Sequence, residues 1–262
     1  MGERQKRSWR AVAVATALVV CAVETSHADP SDESADHSTG VEGDEAALPA
    51  APAAAAAGPK ESGASLVAEA DRELRAMRTS AYEHHTAIDE STGSFLYDCS
   101  GFVDYALRNA APTAFAELTR ATVRRPLARH LEGFFASIPP GTTRGHWMRV
   151  GKVSDLRPGD IIAWLQPADS SSKNTGHTLV VHGPLRPDDT APGAFVVPVV
   201  DSTALKHGAQ DSRAASDGTG LGTGSLVLLG DASGAPHAFR WSTGRRSRVR
   251  ETAITLGRIV GG

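Results

Sequence analysis

The run FLYDCSGFVDYAL, residues 95 to 107, sets Cys99 directly behind an aspartate and ahead of two small residues. A thiol is a useful nucleophile only as thiolate, and the unpaired amides and dipole of a helix N-terminus favour that form. Such a helix is predicted here. Cys99, Phe102, Val103, Ala106, Leu107 and Ala110 recur at the spacing of one apolar helical face. Asp98 is a good N-cap, so Cys99 falls in the first turn. Ser100 and Gly101 keep the approach to the sulfur open. A nucleophile so placed needs a general base, and the base needs a third group to hold it.

The sequence has ten histidines. His177 opens the run HTLVV just after Gly176, where a strand end can reach the mouth of a helix packed on the sheet. His182 lies an odd number of residues further on, which in an unbroken strand turns it to the other side. The orienting acid is best sought on the next strand. AFVVPVVDST carries Asp201 at the close of an apolar run, where a carboxylate could hold the imidazole and favour imidazolium. The alternative role for Asp201 is a turn cap with Ser202 and Thr203.

These residues need a scaffold. The chain opens with four basic residues and an apolar run from Ala11 to Val23, too short to span a bilayer, which needs about 20 residues. Ser26-His27-Ala28 then supplies a cleavage site, so residues 1–28 read as a signal peptide and the mature protein as secreted or periplasmic. The alternatives are an uncleaved anchor or a lipoprotein through Cys21. Cleavage removes Cys21 and leaves Cys99 alone, and an odd cysteine in an oxidising compartment marks either a reactive thiol or a buried inert one. Residues 29–63 hold eight acidic residues against one lysine, with Ala, Pro and Gly, and read as a disordered linker. Residues 64–262 then form one domain. Its basic and acidic residues nearly cancel, so charge implies no nucleic-acid partner. Helical patterns at 65–77, 99–110 and between 114 and 138, with Pro126 in a first turn, precede short β-branched runs at HWMRVG, DIIAWLQ, GHTLVVHG, AFVVPVVDS, GSLVLLGD, HAFRWS and TAITLGRIV. Helices first and strands second predict an α+β domain, helices packed on a mostly antiparallel sheet that curls.

DCSGFVDYAL, then LRPGDIIAW, then GHTLVV, resembles the NlpC-type cell-wall cysteine peptidases, a bacterial branch of the papain-like superfamily. The resemblance covers roughly residues 80 to 203. It implies a papain-like fold with a small curled sheet, Cys99 as nucleophile and His177 as base. It also implies a tyrosine upstream of the cysteine at the oxyanion, for which Tyr82 stands about in place and Tyr97 competes. The substrate class it implies is the peptide stem of peptidoglycan, with no cofactor, no metal and no stable membrane span after processing. The sequence departs from the family in carrying Asp at the third position, where many members have His, Asn or Gln. It also has an extra helical segment between cysteine and histidine, and a stretch after Asp201 that does not align.

Other features carry less chemistry. GTGLGTGS at 218–225 lacks the spacing of a nucleotide-binding loop and reads as a flexible loop before a strand. His84 and His85 follow Glu83 without a zinc-type spacing to complete them. Arg245, Arg246, Arg248 and Arg250 read as a solvated turn. The expected function is an exported cysteine hydrolase acting on an amide through Cys99, His177 and Asp201. The rivals are an amidase, transpeptidase or acyltransferase with the same triad, and an inactive wall-binding module.

Overall fold

The apolar spacing around Cys99 folds as read. In the structure, a computed structural model that describes residues 60–168, 170, 174–214 and 218–261, four helices form among the described residues: α1 Gly63–Ala76, α2 Cys99–Ala110, α3 Pro112–Ala121 and α4 Ala128–Ala136. Asp98 caps α2 by accepting the Gly101 N–H at 2.7 Å. Phe102, Val103, Ala106 and Leu107 are fully buried on its inner face. The stretches read as a signal peptide, 1–28, and as a linker, as far as residue 59, lie outside the described residues. The last linker residues are ordered: Ser62 caps α1, and the Glu61 carboxylate accepts the Thr113 and Ala114 N–H groups at the start of α3. Pro126 stands ahead of α4, whose N-cap is Leu127, so it does not enter the first turn.

Among the described residues thirteen strands follow the helices or lie among them. β1 Thr79–Ala81, β2 Ala87–Asp89 and β3 Ser94–Leu96 make a small sheet between α1 and α2, where the sequence reading places no strand. Three-residue strands with polar side chains have no periodicity long enough to see. The large sheet contains β4 Thr143–Arg144, β5 Trp147–Val150, β6 Ile161–Leu165, β7 Gly176–Val181, β8 Arg186–Pro187, β9 Ala194–Thr203, β10 Gly220–Gly230, β11 Pro236–Arg240, β12 Val249–Glu251 and β13 Ile254–Ile259. Its order is β12-β11-β10-β9-β7-β6-β13-β5-β4, with β8 paired to β9. Every pairing in it is antiparallel. The domain is α+β.

Both faces of the sheet are covered. Helix α2 packs on β7 and β9, and α4 on β6 and β13. The core beneath them joins Phe102, Leu107, Leu131 and Phe135 to Ile161, Val180 and Val200. The second face holds Trp164, Leu179, Val197, Leu226, Phe239 and Leu256. Among the described residues no α-helix covers that core, to which a short 3-10 turn, Val153–Asp155, adds only Val153. The sheet bends over it instead, bringing β11 against β13 and stacking Phe239 on Trp164 at 4.4 Å.

Two stretches depart from the sequence reading. Residues 220–225 are not a loop but the first half of β10, paired residue for residue with β9 from Thr203 to Pro198. Arg250 belongs to β12, opposite Phe239, while Arg245 and Arg246 do lie in an exposed turn.

Candidate active site

Three elements bring the thiol to the imidazole. The first is α2, which holds Cys99 at its N-terminus with 4% of its surface exposed. A Cβ on Gly101 would stand 2.6 Å from Thr86 Oγ1, just ahead of β2, and 2.9 Å from Tyr97 Cβ, so the first turn of the helix packs too closely there to take a side chain without a shift. The second is β7. Gly176 has φ +149°, and a Cβ on it would fall on the Trp164 carbonyl of β6. That close approach seats His177 opposite Trp164 in the β6–β7 ladder. The turn before β6 fixes the other end of the same ladder, with the Gly159 N–H donating to the Val181 carbonyl and Val181 N–H to the Asp160 carbonyl. The third is β9, joined to β7 through Val180↔Val200 and Val181↔Val199. A Ser202 hydroxyl bond of 2.6 Å to the Tyr97 carbonyl ties β9 to the start of the cysteine helix.

The result is a chain of contacts. Cys99 acts electrostatically on the His177 imidazole, and His177 Nε2 stands 2.7 Å from Asp201 Oδ2. Burial opposes charge on His177, but the charge of Cys99 and the charge and hydrogen bond of Asp201 outweigh it and push its pKa up to about 10. Burial would also raise Asp201. The charges and hydrogen bonds of His207 and His177 win and hold its carboxyl far below the ordinary range. Both shifts favour a pair of ions at neutral pH.

Asp201 has a second set of partners that the sequence did not reveal. His207 Nε2 stands 3.0 Å from the same Oδ2, and Arg213 Nη2 donates to Oδ1 at 3.1 Å. Arg213 Nη1 also donates to the Asp201 backbone carbonyl. Asp211 locks both, accepting from Arg213 Nη2 at 2.8 Å and from the His207 N–H at 2.7 Å. The His207 ring stacks on Trp241 at 4.3 Å, and its Nδ1 is 2.9 Å from the Trp241 carbonyl. The glycines of 218–225 make room for this cluster. A Cβ on Gly222 would stand 2.7 Å from Arg213 Nε, and one on Gly224 2.7 Å from His207 Cβ. The alternating glycines were the available signal, because glycine inside a strand marks a close approach.

The two tyrosines separate. Tyr97 is fully buried and its hydroxyl donates to Glu73 Oε2 at 2.7 Å, away from the thiol. Burial pushes the Glu73 pKa up to about 8 despite that bond. Tyr82 lines the same cleft as Cys99, its N–H donating to Thr219 Oγ1 and its hydroxyl accepting from Asn174 Nδ2 at 3.3 Å. Burial and the charges of Cys99 and Asp98 push the Tyr82 pKa up, so its O–H stays a donor. His182 bonds Asp71 of α1 at 2.8 Å, and His84 stands edge-on to the Tyr82 ring. Among the described residues no helix is long and apolar enough to cross a membrane.

This is an α+β domain with a cysteine, a histidine and an aspartate in line at a helix N-terminus. No family model matches the sequence, and no solved structure matches the chain. The chain is similar to an uncharacterized protein of Acanthamoeba polyphaga mimivirus, at 28% identity over 187 residues, an alignment covering 62% of this chain and 77% of the viral protein.

Proposed function

We propose that this protein is an exported cysteine hydrolase of NlpC type with a papain-like fold, which cleaves an amide bond in peptidoglycan stem peptides. The single observation that carries the reading is His177 placed between two partners, its Nε2 2.7 Å from Asp201 Oδ2 and its charge favoured by Cys99. The wall-peptide substrate comes from the sequence resemblance alone, since a fold and a triad do not fix a substrate.

In this mechanism the Cys99 thiolate attacks the amide carbonyl carbon. The oxyanion faces the Tyr82 O–H and the Cys99 amide, which has no intrahelical acceptor at the first position of α2. Imidazolium His177 gives its proton to the leaving nitrogen as the C–N bond breaks, which leaves a thioester on Cys99. Water then adds to the thioester carbonyl and passes a proton to His177. The C–S bond breaks and the ion pair is restored. Asp201 keeps the ring oriented and stabilises its charge throughout.

The test is to incubate purified peptidoglycan with the secreted protein and identify released fragments by mass. New amine and carboxyl termini at one stem bond, absent with Cys99→Ala, support the reading. Intact wall after prolonged incubation overturns the substrate. Intact mass of the secreted chain tests export, with an N-terminus near Asp29 expected and a species retaining residues 1–28 counting against it.

A further inference from the structure

Two clefts adjoin at the site, one on the Cys99 side and one on the His177 side. One, of about 420 Å³, is lined by Cys99, Ser100 and Leu127. The other, of about 450 Å³, is lined by His177, Trp164, Phe239, Trp241 and Leu205. They share Tyr82, Asn174 and Gly176 as a common wall. We propose that the cleft on the His177 side is the subsite for the leaving amine, and that it takes an amine bearing an aliphatic or aromatic side chain. This rests on the cysteine-hydrolase reading above, though not on the wall-peptide substrate.

The chemistry assigns the sides. The acyl carbon bonds to sulfur and stays on the Cys99 side. The nitrogen that receives the His177 proton departs across the imidazole, so the group it carries occupies the cleft that His177 lines. The composition assigns the ligand. Trp164 and Phe239 stack at 4.4 Å beneath the cleft and are almost fully buried, while half-buried Trp241 meets Trp164 edge-on at 6.2 Å and carries the apolar surface into the cleft. Leu205 lines the same cleft at 67% exposure, the most exposed of three large apolar side chains left open among the described residues.

A single exposed leucine is ordinary on a protein surface. This one is held in place by polar bonds. The Leu205 N–H donates to Thr203 Oγ1 at 3.0 Å, and Trp241 Nε1 donates to the next carbonyl, Lys206, at 3.1 Å. Thr203 closes the strand that carries Asp201, so the apolar wall and the catalytic carboxylate are built from one continuous segment. Arg248 and Arg250 line the cleft as well and have partners of their own.

Aminolysis of a preformed acyl-enzyme reads this subsite without knowledge of the natural acyl group, because an incoming amine uses the site that a leaving amine vacates. A p-nitrophenyl ester of N-acetylglycine acylates Cys99 and releases p-nitrophenol. Glycinamide, leucinamide, phenylalaninamide and aspartamide then compete with water. Each amine nitrogen bonds to the acyl carbon as its proton passes to His177, and the C–S bond breaks to free the thiol. Leucinamide and phenylalaninamide are expected to divert the acyl group at concentrations about tenfold or more below glycinamide. Leu205→Ser should shrink that ratio several-fold, whereas Val123→Ser, at an exposed apolar position outside either cleft, should leave it unchanged. Acyl-enzyme that forms but shows equal use of all four amines overturns this inference alone. Failure to form any thioester on Cys99, seen by intact mass, overturns the hydrolase reading and this inference with it.

Discussion

Asp201→Asn removes one charge and almost no volume, and the structure indicates that it fails in two ways. Oδ2 receives two ring nitrogens, His177 at 2.7 Å and His207 at 3.0 Å, while Oδ1 receives Arg213 at 3.1 Å. An amide offers one acceptor and one donor. With its oxygen toward the rings, its NH₂ faces the Arg213 guanidinium. Reversed, it faces two imidazoles. The first orientation costs less, because Arg213 keeps Asp211 at 2.8 Å. Breaking a buried ion pair costs about 3–5 kcal/mol, and the remaining Asp211 contact places this variant near the lower end, about 3 kcal/mol.

The rate should fall separately, by up to about 10⁴ in kcat, as expected when a triad carboxylate becomes an amide. The wild-type His177 pKa is raised from 6.5 to about 10, so the imidazolium form should persist to that pH. The alkaline limb of the pH–rate profile should move down toward 6.5 in the variant. Stability changes with pH in the matching sense. The raised His177 contributes stability that is complete below 6.5 and is lost as pH rises through about 10. The lowered Asp201 contributes above 3.8 and loses that contribution as pH falls through its depressed value. Asparagine abolishes the second contribution and weakens the first. Urea unfolding, kcat per folded molecule and the pH–rate profile measure these terms independently. A variant that loses stability while keeping its rate and its alkaline limb would refute the orienting role.

Cys99→Ala should keep the fold and lose turnover, and Cys99→Ser should be nearly as poor; undiminished hydrolysis by either sinks the enzyme reading. Iodoacetamide at neutral pH should alkylate Cys99 in the native protein, and an inert thiol would favour the wall-binding alternative. Tyr82→Phe should lower kcat by about 10²–10³ with little change in KM, whereas Tyr97→Phe should cost stability through Glu73 and spare the rate per folded molecule. Gly224→Ala should destabilise by about 1–3 kcal/mol by pushing its Cβ against His207, read as a lower melting temperature.

Much of the site was legible where local chemistry and periodicity agree. Asp98, Cys99 and the apolar face of α2 announce a capped helix because capping and burial both act within a few residues. β7 was legible as a strand because all six of its residues are buried and the run is β-branched. The small sheet at 79–96 was not, since its pairing depends on register between three-residue segments rather than on any pattern within them. Glu73 was invisible for a related reason. It sits at the spacing of α1's apolar face, and only the distant Tyr97 hydroxyl makes its burial tolerable.

Two of the departures from the family resemblance, an aspartate at the third position and an unalignable stretch after it, explain one another. A neutral His, Asn or Gln needs no counter-charge when buried. A fully buried carboxylate costs several kcal/mol to desolvate and is sustained only by partners of opposite charge and by hydrogen bonds. His177 alone supplies one bond. The segment following β9 supplies the rest through His207 and Arg213, with Asp211 fixing both. Those side chains lie across β10, whose Gly222 and Gly224 leave the space they fill. The glycine-rich run that looks like a loop is therefore a strand kept bare so that an ionised Asp201 can be buried behind His177.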